Sequence, residues 1–200
     1  MGLRELKALR TRESIVDAAL SLYERQGYDE TTMEQIAAEA EVGTSTLYRY
    51  FPAKDLILLD GMMEGDGRLA TYFEARPPTE DVSTALGEAI NAYFIDAESQ
   101  EQRILLMRAV LDRSTAPRAR LWDAWARERV LLEDAIARRL GLSSPDLRTR
   151  VTAQTALMVV ELALDAWRDD PSRPLPRVTA RDVLSILQSP DVILPVPAKG

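Results

Sequence analysis

The sequence predicts an all-α protein: an N-terminal three-helix head carrying a helix-turn-helix, followed by a larger helical domain. Three observations predict it. Apolar residues recur at helical spacing, with Met33, Ile36, Ala37 and Ala40 at i, i+3, i+4 and i+7. Gly and Pro punctuate the chain about once per helix, at Gly27, Gly43, Pro77-Pro78, Pro117, Gly141, Pro145 and Pro171 to Pro176. No alternating β-branched run and no internal repeat occurs.

Residues 1–10 read as a basic arm carrying Arg4, Lys7 and Arg10. A first helix follows from about Thr11 to Gln26, with Ile15, Ala18, Ala19 and Leu22 as its buried stripe and Gly27 placed to close it in a left-handed cap. Thr31 with Glu34, and Thr32 with Gln35, are two overlapping capping boxes for the second helix. Ala37 is small where two helices must cross closely. Val42-Gly43 breaks that helix, and Leu47 with Phe51 supplies the inward i, i+4 pair of a third. The helical period then turns Ser45, Tyr48 and Arg49 outward, with Thr44 at the flank. Those groups can hydrogen-bond base edges or phosphates from a helix lying in a major groove.

Ala53-Lys54-Asp55 opens a fourth helix, expected from Leu56 to about Phe73 and containing Gly61, Gly65 and Gly67. Each Gly costs about 1 kcal/mol inside a helix, so this segment is either bent and weakly held or irregular after Leu59. Further helices are expected over 79–97, 101–114, 117–140, 145–169 and 179–188, ahead of a loose tail ending in Pro190, Pro195 and Pro197. The predicted organisation is a helix-turn-helix domain over 1–55, a helical domain over 56–190 and a tail over 191–200.

Composition narrows the chemistry. With no cysteine there is no disulfide framework, thiolate nucleophile or cysteine metal cluster, and with no histidine the usual near-neutral acid-base catalyst is missing. Asp96 and Glu98, or Glu133 and Asp134, stand one or two residues apart and point in different directions on a helix. No catalytic residues, metal ligands or cofactor site are read, and an enzyme is not expected. The N-terminus has no apolar signal core, and the most apolar window, Ala156 to Ala166, is too short to span a bilayer and carries Glu161 and Asp165. A cytoplasmic location without a membrane partner is expected. The net charge of −7 runs against simple nucleic-acid binding, and residues 1–55 hold seven basic against ten acidic side chains. Distribution decides, because screening confines surface charge to roughly 8–10 Å. Arg4, Lys7, Arg10 and Arg12 cluster near the N-terminus, and Arg49 and Lys54 border the third helix.

Thr32, Ile36, Ala37, Ala40, Val42, Thr46, Leu47, Tyr48, Tyr50, Phe51 and Lys54 match, at fixed spacing, the pattern T-x-x-x-I-A-x-x-A-x-V-x-x-x-T-L-Y-x-Y/H-F-x-x-K. In this the chain resembles the TetR family of bacterial transcriptional regulators. The resemblance covers the first third of the chain and implies binding to double-stranded DNA, as a homodimer on a palindromic operator. Carried over by position, Thr32, Tyr48 and Lys54 would hold phosphates, and Thr44, Ser45 and Arg49 would face bases, with Thr46 and Tyr50 in the same segment. Gly43 departs from the family, which often has a Ser cap there. Glu34 stands where several members carry a basic residue; the capping box is the preferred reading for it.

The window Thr155–Trp167 is apolar nearly all round, so its helix must bury more than one face. It is either central to one subunit or, as the resemblance implies, part of a four-helix dimer interface with the helix near 179–188; Leu157 and Val160 are expected on the shared face. Met62, Met63, Tyr72, Phe73, Tyr93, Phe94, Met107, Trp122, Trp125 and Met158 are either core or the lining of a pocket for a mostly apolar small molecule, with Glu161, Arg103 or Arg108 orienting a polar end. The functional expectation is a ligand-responsive repressor released from DNA by such an effector. The alternative is a helix-turn-helix regulator controlled by a protein partner.

Overall fold

The computed structural model describes residues 2–60, 68–169, 174–190 and 192–193. Among them the chain forms α1 (Leu3–Gln26), α2 (Met33–Glu39), α3 (Thr44–Tyr50), α4 (Lys54–Leu58), α5 (Arg68–Glu74), α6 (Val82–Glu98), α7 (Glu101–Arg113), α8 (Thr115–Arg139), α9 (Leu147–Asp169) and α10 (Pro176–Leu187), with no strand. The chain divides into two compact units. One holds Met1–Arg68 and Gln100–Glu128, the other Leu69–Ser99 and Arg129–Gly200, so α8 runs from the first into the second.

In the first unit, the arm expected at 1–10 is helical from Leu3. The Glu5 carboxylate accepts the Gly2 N–H at 2.7 Å, which caps α1 at its start, and no Gly or Pro interrupts Leu3–Gln26. Gly27 ends α1, donating to the Tyr23 carbonyl at 3.0 Å. Its φ of 89° and ψ of 158° lie in the extended positive-φ region rather than the expected left-handed helical basin; that region is essentially glycine's alone. Of the two capping boxes the chain uses Thr32–Gln35: the Gln35 N–H donates to Thr32 Oγ1 at 3.2 Å and the Thr32 N–H to Gln35 Oε1 at 2.9 Å. Thr31 turns back instead, its hydroxyl donating to the Gly27 carbonyl at 2.7 Å.

The α2–α3 turn places Glu41, not Gly43, in the left-handed conformation, at φ 55°. The Val42 N–H reaches the Ala37 carbonyl at 2.9 Å and the Glu41 N–H the Ala38 carbonyl at 3.1 Å, the paired bonds of a Schellman ending. Ile15, Ala19, Leu22, Ile36, Leu47, Phe51, Ile57 and Leu58 make the core of this unit. Met107, Val110 and Leu111 of α7 and Leu121 of α8 belong to the same core, so the head is closed by helices from much later in the chain. The fourth helix is shorter than expected: α4 ends at Leu58 and Leu59–Asp60 form a turn. Met62, Met63, Gly61, Gly65, Gly67 and the expected bend lie outside the described residues.

In the second unit, Leu69 and Phe73 of α5, Ala89 and Phe94 of α6, Leu132 and Ile136 of α8, and Ala153, Val160 and Trp167 of α9 are buried. Arg139 secures the Pro77-Pro78 loop, donating to the Arg76 carbonyl at 2.8 Å and lying 4.7 Å from the Phe73 ring centroid. Asp81 caps α6, accepting the Thr84 N–H at 3.0 Å, and the Thr149 N–H donates to Asp146 at 2.8 Å ahead of α9. α10 packs on α9 and α6. One member of each acidic pair noted in the sequence forms an ion pair: Glu98 with Arg177 at 3.3 Å, and Glu133 with Arg129 at 3.1 Å. α8 begins two residues earlier than expected, at Thr115, which leaves Pro117 in its first turn, where its missing N–H removes no helical bond.

Burial on α9 corrects the assignment of its two faces. Leu157 and Val160 point into their own unit, 5% and 0% exposed, whereas Val151 and Leu162 are 59% and 46% exposed on the other side. Val151, Met158 and Leu162 follow at i, i+7 and i+11, one outward stripe.

Candidate nucleic-acid interface

α3 is a seven-residue helix anchored by one fully buried side chain of its own, Leu47, and by Phe51 at its C-cap. With those two inward, Thr44, Ser45, Tyr48 and Arg49 are exposed together, Tyr48 to 43%. Thr46 and Tyr50 are half-buried at the edges of this face, and the Arg49 guanidinium lies 5.6 Å from the Tyr50 ring centroid. Arg49 is thereby propped outward on an aromatic support, able to offer a fork of donors to paired acceptors such as guanine O6 and N7. Gly43 begins α3 without a side-chain cap, and a Cβ there would meet only the Thr46 hydroxyl, at 4.0 Å. Thr32 is exposed at the start of α2, its hydroxyl oxygen engaged by Gln35 and its O–H free to turn outward. Glu34 is exposed beside it and takes no part in the capping box, which belongs to Gln35.

Lys54 departs from expectation. Its ammonium turns inward and donates to the carbonyls of Tyr28 at 2.5 Å, Thr31 at 2.8 Å and Asp29 at 3.4 Å, while lying 4.2 Å from the Tyr28 ring centroid. An ammonium has three N–H groups, and three carbonyls face them here, so in this arrangement none is left for a phosphate. Burial lowers the Lys54 pKa, and burial followed by the charge of Asp55 raises that of Tyr28 to about 12. Lys54 fixes the α1–α2 loop and hence the start of α2.

Gln26 shares that task unannounced by any local pattern. Its amide nitrogen shares two N–H groups among Gln35 Oε1 at 3.0 Å, the Glu30 carbonyl at 3.2 Å and Thr31 Oγ1 at 3.3 Å. The acidic balance of the head is offset in part by Arg120, which pairs with Asp55 at 3.0 Å, whereas the Arg25–Glu39 pair at 3.1 Å takes one residue of each sign and leaves it unchanged. The residues left facing outward on α3 are uncharged apart from Arg49.

The effector candidates are divided between the two units. Met107 is 3% exposed in the first unit's core and Trp125 packs against that core, but Trp122 is 66% exposed. In the second unit Phe94 is buried and meets Tyr93 edge to face at 5.3 Å. Met158 and Glu161 lie on the outward side of α9, beside Leu162. A cleft of 230 Å³ between α6 and α10, lined in part by Ile90, Asn91, Arg177 and Arg181, contains none of these residues.

Residues 15–60 match the family described as bacterial regulatory proteins, tetR family, and residues 80–190, more than half the chain, match the family described as MftR C-terminal domain. The chain belongs to the TetR family. It is 37% identical over 91 residues to the HTH-type transcriptional regulator TcmR of Streptomyces glaucescens, covering 46% of this chain and 40% of TcmR. It is 41% identical over 51 residues to the HTH-type transcriptional repressor KstR of Rhodococcus jostii, covering 26% of this chain and 24% of KstR. The chain thus spans two fifths or less of the length of these relatives. A longer match, 25% identity over 162 residues, reaches the putative mycofactocin biosynthesis transcriptional regulator MftR of Mycobacterium tuberculosis and covers 81% of this chain and 82% of MftR. Among solved structures, Thermus thermophilus FadR in complex with lauroyl-CoA superposes with a TM-score of 0.57 at 24% identity, covering 94% of this chain and 99% of that one. SmeT in complex with triclosan gives a TM-score of 0.62 at 21% identity, covering 94% and 100%. These two likenesses establish the TetR fold. Among the described residues no helix is long and apolar enough to cross a membrane.

Proposed function

We propose that this TetR-family chain is a DNA-binding transcriptional repressor that acts as a homodimer on a palindromic operator and is released by a mostly apolar small molecule. The observation that carries the DNA-binding part is the outward face of α3, where Thr44, Ser45, Tyr48 and Arg49 are exposed together over the buried pair Leu47 and Phe51. A seven-residue helix so presented fits a major groove, with Tyr48 and Thr32 toward phosphates and Arg49 toward a base pair. The two-fold arrangement is supported by the outward stripe Val151, Met158 and Leu162 of α9 and by Ile186 of α10, 53% exposed. An apolar face of that kind on two adjacent helices is satisfied by a second copy of itself, as in a four-helix interface.

The effector part rests on composition and on the neighbours. KstR is named a repressor, and FadR and SmeT hold lauroyl-CoA and triclosan, molecules with large apolar portions. A ligand that binds one conformation about 100-fold more tightly than the other shifts the balance by about 2.7 kcal/mol per site, enough to empty an operator held at moderate affinity. Selection of bound duplexes from a random pool tests the reading. Enrichment of an inverted repeat with half-sites about one helical turn apart supports it, and failure to enrich any duplex at 50 mM salt refutes it.

A further inference from the structure

We infer that Arg103 and Asp60 are positioning residues for the recognition helix, so that DNA reading depends on α7, a helix outside the DNA-binding segment. The Asp60 side chain, just past the end of α4, is 10% exposed and accepts from two directions. Arg12 of α1 brings Nε to Oδ1 at 2.9 Å and Nη2 to the same oxygen at 2.5 Å. Arg103 of α7 brings Nη2 to the Asp60 carbonyl at 2.5 Å and to Oδ2 at 3.5 Å. The Arg12 guanidinium also lies 4.4 Å from the ring centroid of Phe51, the C-cap residue of α3. A continuous chain of contacts therefore runs from α7 through Asp60 and Arg12 to the end of the recognition helix.

The other end of α7 is tied as well. Ser114, its buried C-cap residue, donates its hydroxyl to the Asp29 carboxylate at 3.2 Å, on the loop whose carbonyls Lys54 holds. Between the two ties Met107, Val110 and Leu111 share the core of α1–α4. α7 thus spans the head, with one tie near each end of the helix-turn-helix. Buried ionic contacts add little net stability over apolar packing, and their better-attested use is to select one arrangement among several. A planar guanidinium forked onto one carboxylate and laid on one ring permits one tilt of Phe51, and through it of α3.

This inference rests on the proposed DNA binding, and the test separates the two. Arg103 is the contact to remove, because Asp60 keeps Arg12 and no carboxylate is left unpaired. In the full-length protein, Arg103→Met is expected to lower affinity for the selected duplex about 3- to 30-fold, the range found when a contact network between distant sites is cut. Amide hydrogen exchange over residues 44–51 should quicken in the same variant, and Arg103→Lys should recover part of both effects. Arg49→Ala serves as the control: it should lose affinity without quickening exchange over 44–51. Unchanged affinity in Arg103→Met, or lost affinity with unchanged exchange over 44–51, overturns the positioning role while leaving DNA binding standing. If the parent protein binds no duplex the proposed function falls, and the exchange measurement alone then decides whether Arg103 holds α3.

Discussion

Replacing Lys54 with methionine removes an ammonium and keeps most of the apolar stem. The structure gives that ammonium two close carbonyl contacts, at 2.5 Å and 2.8 Å, a longer one at 3.4 Å, and a ring face at 4.2 Å. A hydrogen bond from a charged donor contributes about 1.5–3 kcal/mol net when its partner is otherwise left unsatisfied. Lys54 is only partly buried, so water recovers some of that loss, and ~2–3 kcal/mol is the expected total. With a urea slope of about 1–3 kcal/mol/M, the midpoint should fall by about 0.7–3 M. Far-UV circular dichroism during urea titration reads this directly. Lys54→Arg should not rescue it, because a planar fork cannot aim at carbonyls converging from three residues of one loop. A loss below about 0.5 kcal/mol, accompanied by uniformly weaker DNA binding and a shallower salt dependence, would refute the reasoning and return Lys54 to the phosphate backbone.

Glu41→Gly should stabilise the protein by ~0.5–1 kcal/mol in the same titration. It relieves a left-handed non-glycine residue at φ 55°, less the entropy that glycine adds to the unfolded chain; destabilisation would show that the Glu41 side chain has a role of its own. Leu162→Glu should give a folded monomer by sedimentation, while Val160→Glu, at a fully buried position, should lose the fold; a stable Leu162→Glu dimer contradicts the interface. Acid should weaken the second unit. Asp81 is held below its ordinary value of 3.8 by the hydroxyls of Ser83 and Thr84 and by the Thr84 N–H, and Asp146 chiefly by the Thr149 N–H. With folded values below unfolded ones, that stabilisation is present above about pH 4 and is lost as pH falls through the folded values. Asp81→Asn should flatten the acid limb of the thermal midpoint against pH, and an unchanged limb would refute this.

The helix-turn-helix was legible because its signals are local. Met33, Ile36 and Ala37 are buried, Leu47 and Phe51 face inward, and Thr32 caps α2, as periodicity and capping chemistry require. The first turns of α1 were missed because the charges of Arg4, Lys7 and Arg10 read as an arm, although Leu3, Leu6, Ala8 and Leu9 favour helix once Glu5 caps the start. On α9, apolar residues occur on nearly every side, so period alone cannot separate the core face of Leu157 and Val160 from the outward stripe of Met158 and Leu162. The contacts of Lys54 and Asp60 were illegible for a common reason. Their partners stand 23 to 48 residues away, at Thr31, Tyr28, Arg103 and Arg12, and no spacing rule reaches that far.

Parallel selection of duplexes by the parent protein and by Arg49→Ala tests DNA reading by α3 most directly. The account predicts an inverted repeat for the parent. For the variant it predicts affinity lower by about 1–3 kcal/mol, with preference relaxed at one symmetric position in each half-site. Identical affinity and identical preference at every position would contradict it, since Arg49 would then face no base and α3 would not be the helix in the groove.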